Sequence, residues 1–500
     1  MQFTQCLIPS LKLESQSRNL VRRQEQPNQR KIFVAIMTHY FPIRPLLIAI
    51  SCVPLAFADF CHAQVQVEAS NKPGGEWRAR ATKSIADLPT GPADEGLDRF
   101  GGIPSKGVQA SGFFRTEKIA DRWWLITPAG GYFLSRGMNS VSQIATKGGK
   151  EALAKRFGSS GEWGSKTLDF LRTNGFNTLG AWADSSTLQN PKSPIAETIL
   201  WSFMSSYGKA RGGTHVEPGH TGYPNDCPFI FDPAFKTFCD QYAQRLDIIK
   251  DNPRVLGHFS DNELPWSLKM LENYLSLPGT DPGHMAASEW LEARRTGGAA
   301  QASVITASDR AAFLEFAIDH YLSITGAAVR KHAPHHLFLG PRLHGEAIRL
   351  PVVFAALGKH VDVVCVNYYH AWGPDAKLLE MWNRESGKPV MITEFYAKAE
   401  NSGMANTGGA GWLVRTQQDR GLFYQNFTLG LIASKVCVGW SWHRYADNDP
   451  DDKKVDPSNR DSNKGILNNR YEPYQELLDS MRAVNLRSHG LAKHFDSQKP

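Results

Sequence analysis

The amino-acid sequence predicts an α/β protein, a closed (β/α)8 barrel of eight parallel strands with long loops after several of them. Apolar runs of strand length alternate along the chain with amphipathic helical segments. These runs lack the strict in-out alternation of a sheet with one solvated face, which indicates strands covered on both faces. Polar clusters follow several of the runs, as at the loop-bearing end of such a barrel.

Short apolar runs around a Gly-rich turn within 111–139 predict an N-terminal β-hairpin that leads into the barrel. The barrel strands are predicted to begin near residues 132, 177, 198, 255, 337, 363, 390 and 436. A strand is expected over 197–203, and Asp232 followed by proline predicts the start of a helix that reaches residue 249. The other predicted helices occupy 165–173, 308–332, 350–357, 375–384 and 417–434.

The barrel domain is predicted to span 111–487. Residues 64–110 are rich in glycine, proline, alanine and charge, and predict a linker or a loosely wrapped arm. Residues 488–500 are expected to form a tail. The connections 204–231 and 267–305 are long and follow strands, so we expect them to shape a cleft over one face of the barrel.

The first 63 residues predict a targeting segment. An apolar run over 46–58 follows Arg44 and precedes Cys61-His-Ala63, a small-x-Ala cleavage pattern. We expect translation to start at Met37, with 1–36 a start-site extension and 37–63 a signal peptide that is removed before Gln64. The alternative is an uncleaved anchor. The mature protein is therefore predicted to be secreted or periplasmic, with no membrane span.

Charge and cysteine spacing argue against several classes of partner. The net charge is +7, but 1–63 contribute +4 of it, so no basic patch predicts nucleic-acid binding. No pair of cysteines has zinc-ligand spacing, and the acidic loop 447–452 lacks the glycine and glutamate of a calcium loop. We expect no metal and no cofactor. Cys227 and Cys239 could pair in an oxidising compartment.

Two glutamates stand at strand ends, 131 residues apart in the sequence. Glu263 ends the acid-amide-acid cluster after the strand that begins at Val255, and Glu394 ends the run that begins at Val390. Cleavage of a glycosidic bond needs one carboxyl group to protonate the leaving oxygen and a second to attack or to guide water. A polar strand exit explains Glu263 alone, and a structural ion pair explains Glu394 alone. Together they favour catalysis.

Other strand-end residues are candidates for substrate binding. Strict alternation would send Asn262 and Glu263 to opposite faces, so we expect the strand to bulge or end there. Residues two apart share a face, as do Asn367 with Tyr369 and Trp440 with Trp442. One of these tryptophans is expected to floor the sugar site, and barrel packing is the alternative. The remaining candidates are Asn139, Trp182, Arg342 and His344.

Six sequence blocks resemble clan-A retaining glycoside hydrolases. They are RWWLITPAGGYFLSRGMNS from Arg122, DNE at 261–263, LFLGPR at 337–342, NYY at 367–369, ITEFY at 392–396 and GWSWHRYAD at 439–447. Within that clan the chain is most similar to β-agarase-type enzymes, which are related to β-galactosidase-like barrels, over roughly 115–485. The resemblance implies that Glu263 is the acid/base and Glu394 the nucleophile. It also implies hydrogen bonds from Asn262 to the sugar 2-hydroxyl and from Tyr369 to Glu394.

The sequence therefore predicts a secreted retaining β-glycoside hydrolase that cleaves a β-galactose-containing polysaccharide, such as agarose, by double displacement. One alternative is a β-galactosidase or other exo-glycosidase that acts on small oligosaccharides. Another is a carbohydrate-binding pseudoenzyme. The expected partner is an oligo- or polysaccharide, and the sequence leaves the oligomeric state open.

Overall fold

A computed structural model of the chain describes residues 64–89, 91–188, 194–296 and 304–498. All of them belong to one compact unit, 62–500. The predicted start-site extension and signal peptide lie outside the described residues. No helix among those residues is both long enough and apolar enough to cross a membrane.

The strands fall into one barrel and three smaller sheets. In chain order they are β1 Val65–Ser70, β2 Arg78–Thr82, β3 Ile103–Pro104, β4 Arg115–Ile119, β5 Arg122–Ile126, β6 Gly131–Phe133, β7 Ser135–Met138, β8 Thr178–Leu179, β9 Ala196–Leu200, β10 His215–Glu217, β11 His220–Gly222, β12 Val255–Asn262, β13 Leu337–Leu343, β14 Val364–Asn367, β15 Val390–Phe395, β16 Ala397–Ala399, β17 Trp412–Val414 and β18 Cys437–Trp442.

The helices lie mainly between the barrel strands. They are α1 Lys147–Phe157, α2 Ser160–Thr173, α3 Phe203–Arg211, α4 Pro233–Ala243, α5 Met270–Leu275, α6 Pro282–Thr296, α7 Ala307–His332, α8 Pro351–Gly358, α9 Ala376–Ser386, α10 Gln417–Ala433, α11 Gln475–Asn485 and α12 Ser488–Ser497. The predicted aspartate cap is confirmed, because the Asp232 side chain accepts a hydrogen bond from the backbone N–H of Ala234. The helix it opens ends at Ala243, and a 3₁₀ helix continues to Ile248.

Eight parallel strands close the predicted barrel within the described part of the chain. Their order around the barrel is β7, β8, β9, β12, β13, β14, β15 and β18, and every neighbouring pair is parallel. The third strand is shorter than predicted: β9 ends at Leu200, and Phe203 already begins α3. All the C-terminal ends of the strands therefore open onto one face.

Apolar side chains fill the barrel, and a larger apolar layer packs between barrel and helices. The interior cluster includes Leu256, Leu339, Val363, Met391 and Val438. A closed parallel barrel is covered on both faces, so its strands read as continuous apolar runs, as predicted. Among the described cysteines no disulfide forms. Cys227 and Cys239 are buried free thiols, so their pairing is not found.

Both ends of the described chain are more ordered than the sequence indicated. The predicted β-hairpin around the Gly-rich turn is present as β5 and β6, which β4 and β3 extend into an antiparallel sheet. Within the expected linker, β1 pairs with β2 and β17, because Val67 and Ala69 alternate inward and are buried. The expected tail forms α12, which buries Leu491 and Ala492.

Candidate active site

Glu263 leaves the end of β12 with a left-handed backbone. The pairing register of β12 with β13 shifts between Phe259 and Asn262, the strand ends at Asn262, and Glu263 has φ 51°. The prediction that the strand bulges or ends here is confirmed. The Glu263 Oε1 atom accepts a hydrogen bond of 2.7 Å from Asn367 Nδ2. Asp261, in the same cluster, is buried and accepts backbone N–H groups of α3 instead.

Glu394 lies near the end of β15, where cationic and hydrogen-bonding side chains surround its carboxyl group. Its Oε1 atom is 2.7 Å from Arg342 Nη2, and Arg342 is fully buried. The Tyr369 hydroxyl donates a hydrogen bond to Glu394 Oε2, as predicted. His443 Nδ1 is 4.0 Å from the same oxygen. Donors to the charged form of a carboxyl group favour ionisation.

The two carboxyl groups have opposite pKa shifts. Burial raises the pKa of Glu263, and the negative charge of Glu394 raises it further, against the opposing effects of His344 and Asn367. Burial alone would raise the pKa of Glu394, but Arg342, His443, the Tyr369 hydrogen bond and Lys464 together outweigh burial, and the pKa is lowered. Glu263 is therefore suited to hold a proton and Glu394 to remain ionised, which is the pairing that acid and nucleophile require.

A network of amides and one guanidinium group holds these carboxyl groups in place. Arg342 Nη1 donates to Asn262 Oδ1 at 2.8 Å, and Arg342 Nη2 donates to the Thr393 carbonyl at 2.8 Å. Asn367 accepts from the Thr393 hydroxyl at 2.7 Å while it donates to Glu263. Asn139 Nδ2 donates to the same Thr393 carbonyl at 2.8 Å. These side chains fix the ends of β12, β14 and β15 relative to one another.

A cavity of about 740 Å³ opens above both glutamates at the C-terminal ends of the strands. Three predicted substrate-binding residues line it, namely Trp182, His344 and Tyr369. Trp182 contacts the Arg342 guanidinium at 4.6 Å and the His443 ring at 6.0 Å, and its 43% exposure leaves part of the indole open to a sugar ring in the cavity. A cavity of this size accommodates several sugar-sized groups.

Two loops meet beside the cavity. The backbone N–H of Gly219, between β10 and β11, donates to both carboxylate oxygens of Asp456 at 2.9 and 3.1 Å. Asn262 Nδ2 donates to the Gly219 carbonyl at 3.3 Å. The long connection 204–231 therefore does form a wall of the cleft, as its length predicted.

Six predicted substrate-binding residues do not line the cavity. Arg342, Asn262, Asn367 and Asn139 lie behind the carboxyl groups and act on them through the contacts above. The expectation that Trp440 or Trp442 floors the sugar site is wrong. Both tryptophans are fully buried, and their indole N–H groups donate to the Tyr424 hydroxyl and the Lys464 carbonyl, so they pack on the outer side of β18.

Several charged or polar cavity residues are not among those predicted from the sequence, and they include Tyr396, His443, Arg444 and Lys464. Tyr396 is two residues after Glu394 and shares its side of the chain, so alternation could have indicated it. His443 and Arg444 directly follow the strand-end WSW motif. Lys464 lies in a long irregular segment, where no periodic pattern indicates which side chain turns inward.

Comparison with known proteins points to β-agarases. No family model matches the chain. Beta-agarase B of Vibrio sp. (strain JT0107) is 23% identical, over 82% of this chain and 51% of its own length. Beta-agarase A of the same organism is 27% identical, over 68% of this chain and 37% of its own length. The chain thus spans about half or less of the length of these relatives.

A solved structure covers nearly the same extent as this chain. The crystal structure of BpGH50 superposes with a TM-score of 0.76 at 28% identity, over 87% of this chain and 96% of that one. This match shares the barrel that carries Glu263 and Glu394. The chain is therefore a homologue of the β-agarases and a structural relative of BpGH50.

Proposed function

We propose that this protein is a retaining β-glycoside hydrolase that acts on a β-galactose-containing polysaccharide such as agarose. One observation carries the proposal: two glutamates from β12 and β15 share one cavity, and their pKa values move in opposite directions. Homology to β-agarases supports the choice of agarose as substrate. A protein that only binds sugar does not require two buried carboxyl groups of which one is protonated and the other ionised.

In the proposed reaction Glu394 attacks the anomeric carbon while Glu263 donates its proton to the departing glycosidic oxygen. A covalent glycosyl ester forms on Glu394, and the leaving sugar departs with a neutral hydroxyl. Glu263, now ionised, takes a proton from water, which attacks the same carbon and releases Glu394. The Asn367 amide orients Glu263 in both steps, since it donates to one oxygen and leaves the other free.

The first test compares Glu263→Gln and Glu394→Gln on agaro-oligosaccharides. Glu263→Gln is expected to lower kcat/KM roughly 10²- to 10⁴-fold, because proton transfer to the leaving oxygen is lost. Glu394→Gln is expected to lose at least as much, because no covalent intermediate can form. The matched control is Glu346→Gln, an exposed glutamate in the loop after β13 that does not line the cavity. Full activity of either cavity variant would remove the proposal.

An activated substrate separates the two roles. An aryl β-galactoside with a good leaving group needs little protonation, so Glu263→Gln should regain much of its first-step rate, whereas Glu394→Gln should not. NMR of the first-formed product tests retention, since double displacement gives the β-anomer before mutarotation. A first-formed α-anomer would contradict the assignment of Glu394 as nucleophile.

We also propose that the protein is exported by the segment 37–63. The support is the apolar run and the small-x-Ala pattern before Gln64. N-terminal sequencing of protein recovered from outside the cytoplasm is expected to begin at Gln64. Recovery of the full-length chain in that fraction would favour the uncleaved anchor.

A further inference from the structure

Two cationic side chains line the proposed catalytic cavity without a carboxylate partner. Lys464 is 2% exposed, and its Nζ atom donates a 2.8 Å hydrogen bond to Asn459 Oδ1 and lies 4.7 Å from the centre of the Tyr396 ring. Arg444 forms no side-chain hydrogen bond with the described residues, and its Nε atom is buried without an acceptor. Neither cation has a carboxylate oxygen within 4.0 Å in the described part of the chain.

The acids of the same cavity are already satisfied by other groups. Glu394 is paired with Arg342 at 2.7 Å. Asp456 accepts backbone N–H groups from Gly219 and from Ser458, the latter at 2.8 Å. Glu263, with its raised pKa, is the proton carrier of the proposed reaction. Lys464 and Arg444 act on Glu394 and Asp456 through longer-range attraction, and neither cation is in direct contact with a carboxylate oxygen of these acids.

The two cations also oppose each other. Burial lowers the pKa of Lys464 to about 7, and the positive charges of Arg444 and Lys398 add to that shift, whereas the negative charges of Glu394 and Asp456 oppose it. Desolvated like charges destabilise a site unless an anion joins them. Gly409 leaves the space beside Lys464 open, because a Cβ atom at Gly409 would come within 2.8 Å of Lys464 Nζ.

We propose that Lys464 and Arg444 form a subsite for an oxyanion carried by the substrate, a sulfate half-ester or a carboxylate on a sugar unit. This inference rests on the proposed function, since it names the substrate class as an anionic galactan rather than a neutral one. A guanidinium fork and an ammonium group together recognise an oxyanion with three or more charge-assisted hydrogen bonds. A neutral hydroxyl group would leave both cations without an anionic group in direct contact.

Binding to an inactive enzyme tests the subsite independently of turnover. In the Glu263→Gln background, calorimetry would compare a neutral agaro-oligosaccharide with two panels of the same length, one bearing a single sulfate at each free hydroxyl in turn and one bearing a uronate. At least one anionic oligosaccharide is expected to bind tenfold or more tightly than the neutral one. The panel that gives the gain identifies sulfate or carboxylate as the group.

Substitutions that remove one positive charge test which side chains cause the tighter binding of the anionic oligosaccharide. Arg444→Gln is expected to reduce the ratio of anionic to neutral affinity at least tenfold, and Lys464→Met to do the same. Lys453→Gln, an exposed lysine that does not line the cavity, removes the same charge from the same loop and should leave the ratio unchanged. Sodium sulfate should compete with the anionic oligosaccharide more strongly than sodium chloride at equal ionic strength, which tests the site without any further substitution.

The outcomes separate this inference from the proposed function. Equal or weaker binding of every anionic oligosaccharide, with no specific effect of sodium sulfate, overturns the subsite even if the wild type cleaves agarose. An anionic preference that Lys453→Gln reduces as much as Arg444→Gln also overturns it. An anionic preference that depends on Arg444, in a wild type that cleaves no galactan, supports the subsite and removes the hydrolase instead.

Discussion

Tyr369→Phe isolates the contribution of one hydroxyl group to the state of Glu394. Burial raises the pKa of Tyr369 well above its usual value, so its hydroxyl is a proton donor throughout the working range. It donates to Glu394 Oε2, while Arg342 neutralises the other oxygen. The substitution removes that donor and leaves the ring, which packs edge-on against His344 and Tyr396.

The expected cost follows from where Oε2 lies. A hydrogen bond to a charged group contributes about 1.5–3 kcal/mol. Glu394 lines an open cavity of about 740 Å³, so water can replace part of the lost donor and the lower half of that range applies. A loss of about 1.5–2 kcal/mol corresponds to a roughly 10- to 30-fold decrease in kcat/KM. The pKa of Glu394 should rise, because its ionised form loses a donor.

The assay is the pH dependence of kcat/KM on an agaro-oligosaccharide. Glu394 must be ionised to attack, so a higher pKa moves the acid limb of the profile toward higher pH. Tyr368→Phe is the matched control, since Tyr368 faces outward, accepts the Asp375 N–H at 3.1 Å and packs on Trp382. It should lower stability without moving the limb. A Tyr369→Phe enzyme with an unmoved acid limb and nearly full kcat/KM would refute the reasoning.

Two further outcomes concern stability and loop order. Burial, with the neighbouring His336, lowers the pKa of His258 from 6.5 to about 3, so folding favours the neutral ring and stability is lost as pH falls from 6.5 toward 3. Between pH 6.5 and 5 this histidine should cost about 2 kcal/mol of unfolding free energy, measured by urea denaturation, and a pH-independent free energy would contradict it. Lys398 Nζ donates to the carbonyls of Asn406, Gly408 and Gly409, which carry one cavity wall. Lys398→Met should destabilise the protein by about 1–3 kcal/mol in thermal unfolding and raise KM more than it lowers kcat, whereas an unchanged KM would show that this wall does not contact substrate.

The hydrogen-bond partners of His258 could not be predicted from the sequence. His336 directly precedes β13, and its Nδ1 atom lies 3.0 Å from His258 Nε2, while its own Nε2 atom lies 3.1 Å from the Asn252 carbonyl. Trp201 Nε1 donates to the remaining nitrogen of His258 at 3.1 Å. These three hydrogen bonds give every ring nitrogen of the two neutral histidines a partner in the protein interior. Local composition cannot predict them, because the partners of His258 are 57 and 78 residues away from it.

Strand positions were predictable and the direction of strand side chains was not. Apolar runs marked the barrel strands because each run is buried on both sides, although the run that begins at residue 132 starts in β6 and the barrel strand β7 begins only at Ser135. Because both faces of each strand are buried, the sequence does not show which face points into the barrel. Trp440 and Trp442 share a face as expected, but that face packs against the helices. Asn139 and Asn367 lie at the expected strand ends, but neither lines the cavity. Asn139 donates a hydrogen bond to the Thr393 carbonyl, and Asn367 donates one to Glu263. Alternation gives relative orientation, and only closure of the barrel gives the absolute one.

Backbone strain marks the same face of the barrel independently of any motif. Ser140, Trp182 and Glu263 follow β7, β8 and β12, and their φ angles are 53°, 62° and 51°. All three residues line the cavity. A left-handed backbone costs a residue with a side chain roughly 1–2 kcal/mol, which glycine would avoid. Three such residues at three strand ends indicate that their side chains are retained against that cost. Two of the three carry groups that the proposed site uses, the indole face of Trp182 and the carboxyl group of Glu263, which makes the strained strand ends a second argument for the site that rests on backbone geometry.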